Sequence, residues 1–161
     1  MQLSESAERV RAFMADRGIF CQILELPGTT RTAQEAAASI GCSVAQIAKS
    51  LVFREIATDR PVLVVASGIN RVDVAKIERI AGIQLGKADG KYVKERVGFA
   101  IGGIPPAGHR EQLQTFLDED LRQHASIWAA AGTPFAVFQL TCADLGALTG
   151  GQWLELAEKN G

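Results

Sequence analysis

Two segments of this chain, together with its two histidines, carry residue types from which a site can be built. Lys49 lies in GCSVAQIAKSLVF (41–53), directly after a short helix-like stretch and just before the apolar run SLVF. That spacing puts it at an element junction near a strand end, where functional groups collect. Two readings of it stay open: a functional cation, or a solvated lysine meeting a helix C-terminus. The second segment, GFAIGGIPPAGH (98–109), is dense in glycine and holds two adjacent prolines. Prolines restrict the chain, and glycines let its backbone come close to a ligand. N–H groups facing outward from such a loop can hold an oxyanion or an ester carbonyl. A plain turn between β elements has the same composition.

Other chemistries are disfavoured by pattern. Gly82-Ile83-Gln84-Leu85-Gly86-Lys87 has one residue too few for a phosphate-binding Walker loop, Ala88 stands where Ser or Thr is required, and no GxGxxG occurs. His109 and His124 are far apart, with no HExxH and no His/Cys cluster, so neither a metal nor another cofactor is expected. Cys21, Cys42 and Cys142 are odd in number and form no CxxC, which fits reduced thiols in the cytosol. Cys21 reads as a small buried hydrophobe in mid-strand. Cys42 and Cys142 sit at helix starts, where a dipole can lower a thiol pKa, but no histidine is tied to either.

The 17 Lys and Arg against 18 Asp and Glu give a net charge of −1. That argues against a general, salt-driven nucleic-acid binder and leaves room for local contact with a few phosphates. The N-terminus is polar and amphipathic, without the apolar core of a signal peptide, and no run approaches the roughly 20 apolar residues of a membrane helix. A cytoplasmic protein of one domain, residues 1–161, is expected.

The elements that must position these groups follow from periodicity and caps. Ala7, Val10, Phe13, Met14 and Arg17 keep helical spacing between Ser4 and Gly18. FCQILEL (20–26) reads as a strand. Thr32 to Glu35 forms a capping box for a helix closing at Gly41, and Ser43 to Gln46 forms a second one. SLVFREIA (50–57) and PVLVVASG (61–68) read as strands; VLVVA lacks alternation, as in a strand buried on both faces. Asn70 is expected to cap a helix carrying Val72, Ala75, Ile77 and Ile80, and residues 90–97 to form another. Further strands are expected at 113–118, 125–130, 134–140 and 152–156, the middle two joined as a hairpin at Gly132-Thr133-Pro134, with a short helix opening at Thr141. Without regular βαβ alternation, this is an α+β chain with a mixed sheet.

In register, TAQEAAASIGCSVAQIAKSLVF (32–53), VLVVASGINRVD (62–73) and GFAIGGIPPAGH (98–109) resemble the YbaK/ProX family of aminoacyl-tRNA deacylases. These are related to the editing insertion domain of bacterial prolyl-tRNA synthetase, and the resemblance runs from about Thr29 to about Leu148. It implies a compact domain with a mixed, partly barrel-like sheet surrounded by short helices. It implies hydrolysis of the ester between an amino acid and the terminal ribose of a mischarged tRNA. The partners implied are the tRNA acceptor end and a synthetase that adds affinity. Lys49 falls on the family lysine required for deacylation. Gly102 and Gly103, with Ile104 and Pro105, fall on the loop whose backbone holds the substrate. An aminoacyl ester is already activated, so positioning and oxyanion stabilisation can account for much of the rate.

The chain departs from many relatives in Val97, where they place Thr, and in the second proline, Pro106, with His109 after it. The KSLVFR and PPxGH forms point away from the cysteinyl-specific branch. His109 is expected as a polar contact or proton shuttle, and Ser67 and Asn70 as lining of the pocket. The alternative is a non-catalytic module that holds an aminoacyl-like ligand or docks on a synthetase.

Overall fold

In the computed structural model, which describes residues 3–159, the chain opens with α1 (Glu5–Ala15), β1 (Ile23–Glu25) and α2 (Ala33–Ile40). A 3₁₀ turn at Val44–Gln46 leads into the long pair β2 (Ile47–Glu55) and β3 (Pro61–Ser67). Then come α3 (Val74–Ala81), β4 (Leu85–Lys87), α4 (Gly90–Val97) and β5 (Gln114–Asp118). A second 3₁₀ segment, Glu119–Gln123, precedes β6 (Ile127–Ala130), β7 (Ala136–Leu140), α5 (Cys142–Thr149) and β8 (Gln152–Leu154).

Every helix begins on a short oxygen-bearing side chain that satisfies a free first-turn N–H: Ser4, Thr32, Asp73, Asp89 and Thr141. The Thr32 box is half formed. Its hydroxyl accepts from the Glu35 N–H at 3.1 Å, while the Glu35 carboxylate turns to Thr29 Oγ1. Asn70 does not cap α3. Its amide is drawn to two carboxylates, and Asp73 accepts from the Lys76 N–H instead.

The strands form one mixed sheet in the order β1-β7-β6-β2-β3-β5-β8, with β4 beside β2. β2 is the junction. Its first residues run parallel to β6, its last run antiparallel to β4, and its length pairs antiparallel with β3. β3 then runs parallel to β5, and β5 to β8, so the sheet is mixed as the pattern predicts. The hairpin expected at 132–134 is the antiparallel pair β6–β7.

Lys49 therefore lies inside a strand and not at a junction. The 3₁₀ turn ends at Gln46, and Ile47 and Ala48 already pair with Trp128 and Ala129. Cys21 likewise precedes β1, which pairs with β7 only over Ile23 to Glu25. The strand β4 has no counterpart in the sequence reading, because three residues with one buried leucine give no periodicity to detect.

β3 explains its own composition. Leu63 and Val65 join a core with Val10, Met14, Leu117 and Phe138, while Val62, Val64 and Ala66 face a second core with Ile77, Phe116 and Leu156. All of β3 is buried, so neither face has a place for a polar residue before Ser67. Leu63 is 0% exposed at the centre of the sheet. Leu63→Ala is expected to destabilise the domain by about 2–5 kcal/mol, seen as a lower urea midpoint when unfolding is followed by circular dichroism.

Candidate active site

A cavity of about 330 Å³ opens between β2, β6, β7, the segment leading into α2, and the glycine loop. Small residues make the room: Ala48 on β2 and Ala129 and Ala130 on β6, with Ile104, Val137 and Trp128 around them. Its size lies at the low end of small-molecule sites, which span about 300–1,000 Å³.

Lys49 lies on the wall of this cavity and is half-buried. Its Nζ donates to the main-chain oxygen of Asn70 at 2.6 Å. Asn70 is itself braced: its Nδ2 donates to Asp118 Oδ2 at 2.8 Å and to Asp120 Oδ2 at 2.7 Å. Asp118 is 1% exposed and also accepts from the Ser67 N–H at 3.0 Å and the Asp120 N–H at 2.9 Å. Burial pushes the Lys49 ammonium below the usual lysine range, and the Asp118 charge partly opposes this. A cation bonded to a neutral carbonyl, with its carboxylate a residue further back, is left without a direct ion-pair partner at the wall.

The glycine loop is anchored in the core and presents its tip to the cavity. Phe99, Ile104 and Ala107 are buried, as are Pro105 and Pro106, whereas Ile101 is 56% exposed. The Gly103 N–H donates to Ala100 O at 3.0 Å and closes a tight turn. Gly102, with φ +95°, occupies the position that type II turns reserve for glycine. Gly103 has another constraint: a Cβ there would stand 2.7 Å from the Thr133 backbone. The N–H groups of Ile101, Gly102 and Ile104, all on the cavity wall, have no acceptor among the described residues.

The structure thus brings Lys49, Gly102 and Ile104 to one cavity and places the other expected site residues elsewhere. The Gly103 N–H is spent within the turn. Pro105 and Pro106 lack an N–H and serve as buried anchors. Ser67 is buried, with its hydroxyl donating to Ala45 O at 2.8 Å, and like Asn70 it supports Lys49 from behind the wall. His109 lines a separate cavity with Phe13, Arg17 and Leu148. Its Nε2 is 2.7 Å from Pro105 O, and since a carbonyl only accepts, that nitrogen carries the proton. Burial holds the ring pKa below the ordinary histidine value. The ring thus clasps its own loop from outside the Lys49 cavity. Burial likewise raises all three thiols, away from nucleophilic character.

Sequence reasoning missed Thr30, Arg31, the first turn of α2, Ser50 and the β6 alanines, all on the cavity wall. One signal was available: the Thr32 cap announces a helix N-terminus with free N–H groups. The β6 alanines gave none, since small residues in a strand are unremarkable until the opposite wall is known.

Fold and site together define a small mixed-sheet domain with a compact cavity beside the Lys49 strand. The sequence model of the Aminoacyl-tRNA editing domain matches residues 28–148, and the chain belongs to that family. Its similarity to YwhH of Bacillus subtilis (strain 168), a protein of uncharacterised function, is 31% identity over 76% of this chain and 78% of the other. It is 29% identical to EbsC of Enterococcus faecalis (strain ATCC 700802 / V583), a candidate Cys-tRNA(Pro)/Cys-tRNA(Cys) deacylase, over 80% of this chain and 78% of that one. A crystal structure of a candidate trans-editing enzyme for prolyl-tRNA synthetase superposes with TM-score 0.92 at 46% identity, covering 98% of this chain and 100% of that one. The mixed α+β fold is the editing-domain fold, and no helix among the described residues is long and apolar enough to cross a membrane.

Gly103→Ala is expected to shift the turn away from Thr133 and lower the melting temperature. Gly90→Ala serves as comparison, because there the added Cβ meets nothing within 4 Å and, as at Gly103, φ is not positive. A larger loss in Gly103→Ala by differential scanning calorimetry bears out the backbone contact.

Proposed function

We propose that this chain, residues 1–161 acting as one domain, is a free-standing deacylase that removes the amino acid from mischarged tRNA in the cytoplasm. The observation that carries the reading is the pairing, on one cavity, of the Lys49 cation, which has no direct carboxylate partner among the described residues, with unpartnered main-chain N–H groups of the glycine loop. The acceptor end of the tRNA is the ligand: Lys49 attracts the terminal phosphate and ribose, and the amino acid enters among the alanines. Water adds to the ester carbonyl, and the oxyanion that forms is held by the Gly102 and Ile104 N–H groups. The bond to the ribose oxygen then breaks, that oxygen takes up a proton, and the amino acid leaves with a free carboxyl group. The neighbouring ribose hydroxyl of the substrate assists the proton transfers, and no metal enters.

The resemblance to EbsC and to the trans-editing structure supports proline tRNA as the carrier, with prolyl-tRNA synthetase supplying further affinity. A near-neutral chain suits this division, since end-only contact neutralises few phosphates.

The test is a panel of tRNAs charged with Ala, Ser, Thr, Cys and Pro, with ester loss followed over time. Lys49→Ala is expected to lower kcat/KM by about 10²-fold, the scale of misplacing a bound substrate. Chelators leave the wild-type rate unchanged. Binding without turnover on every ester would instead favour a non-catalytic aminoacyl-binding module.

The Lys49 environment sets a pH dependence. Its charged form is present below its pKa, and burial depresses that value, so activity that needs the cation is lost as pH rises. The alkaline limb, corrected for spontaneous hydrolysis, is expected below the ordinary lysine value of about 10.4. Lys49→Arg moves the limb upward, because a guanidinium stays protonated.

A further inference from the structure

We infer that Ser50 is the specificity-determining residue of this cavity, and that the amino acid removed carries a short side-chain hydroxyl, as serine does. The inference rests on the editing function proposed above and names its substrate class. Ser50 Oγ is the buried side-chain nitrogen or oxygen that has no hydrogen-bond partner among the described residues. Buried polar groups are otherwise almost always paired, and an unpaired one costs stability. Folding therefore gives no reason for a hydroxyl here. Strand alternation puts Ser50 on the β2 face of Ala48 and Val52, opposite Val65 of β3 and over the larger core. An alanine would suit that apolar face better.

Ser50 lines the cavity and is half-buried, while its Oγ is sealed from solvent. The inference requires the hydroxyl to turn from this sealed position into the cavity, a rotation about χ1 between staggered wells. Among the other polar side chains on the wall, the Trp128 indole N–H also lacks an acceptor among the described residues but can only donate, and the rest are engaged or outlying. Thr30 Oγ1 donates to Pro134 O, Thr32 Oγ1 accepts from Glu35, and Lys49 bonds Asn70 O. Arg31 and Gln34 are exposed. Ser50 is thus the free side chain that can both donate and accept, set among the small apolar residues. A purely apolar pocket separates ligands that differ by one small group only weakly. A pocket with its own buried hydrogen-bonding group penalises the analogue that lacks the partner far more.

The experiment compares kcat/KM for the same tRNA esterified with serine and with alanine, in wild type and Ser50→Ala. In parallel, calorimetry measures binding of the non-hydrolysable 3′-seryl and 3′-alanyl amides of 3′-amino-3′-deoxyadenosine. Wild type is expected to favour the seryl ester and the seryl amide. Ser50→Ala is expected to cut each serine-to-alanine ratio by at least about tenfold. Its melting temperature stays equal or rises, which separates the effect from misfolding. A seryl preference in amide binding that depends on Ser50, with no hydrolysis of either ester, upholds the inference and overturns the editing reaction. Ratios unchanged by Ser50→Ala, or no binding of either amide, overturn the inference.

Discussion

The Lys49 ammonium is held by a main-chain carbonyl, and much of the local architecture exists to make that possible. A direct carboxylate partner would neutralise the charge, and no such ion pair to Lys49 forms among the described residues. The carboxylate sits one residue back instead, where Asp118 grips the Asn70 amide and the Ser67 main chain. Asn70 thereby presents its oxygen at a fixed place, and the lysine is oriented without being discharged. That arrangement needs three elements in register: β2 for Lys49, the end of β3 for Ser67 and Asn70, and the end of β5 for Asp118. The β2–β3 antiparallel ladder and the β3–β5 parallel ladder supply that register.

The branching of β2 has a consequence for the cavity. Because β6 pairs only with Ile47 and Ala48, and β4 only with Phe53 to Glu55, the middle of β2 has no neighbour on that edge. Lys49, Ser50 and Leu51 occupy this gap, and all three line the cavity. A sheet with β2 paired along its whole edge would have filled the gap with another strand. The glycine loop closes the far wall, and its rigidity comes from the core below: Phe99 and Ile104 are fixed by packing, while the Gly103 carbonyl accepts the Gly132 N–H of the β6–β7 hairpin at 2.9 Å. That bond ties the loop to the hairpin.

Much of this was legible in the chain. Caps, the all-apolar β3, the hairpin and the helix over 90–97 carry local signals that tertiary structure did not override. Lys49 and the glycine loop were legible as a pair only through their resemblance to a family; their residue types alone left an ordinary reading equally open. The failures share a cause. Asn70 looks like a cap because amides often are, but two carboxylates distant in sequence claim it. His109 looks chemical because histidines often are, but burial against Phe99 and a bond to Pro105 O make it part of the loop. Gly103 looks like a donor, and its Cβ-free face against Thr133 is what the fold uses. Each depends on contacts from segments far along the chain, which no local pattern reports.

An editing pocket faces a problem that packing cannot solve alone. It must hold a small amino acid firmly enough to react while sparing the correctly charged tRNA. On the cavity wall, Ala48, Ala129 and Ala130 leave the space that larger side chains would fill. Size excludes what is too large but discriminates poorly among what fits, by only about 10–200-fold per methylene-sized difference. Finer choice requires a polar group buried where the ligand's side chain ends, and such a group weakens the fold whenever the pocket is unfilled. The β2 gap reconciles the two demands. It lets a residue stay on a rigid strand while leaving that strand's middle edge open, so the destabilising hydroxyl is confined to one position and the ladders on either side hold it in place.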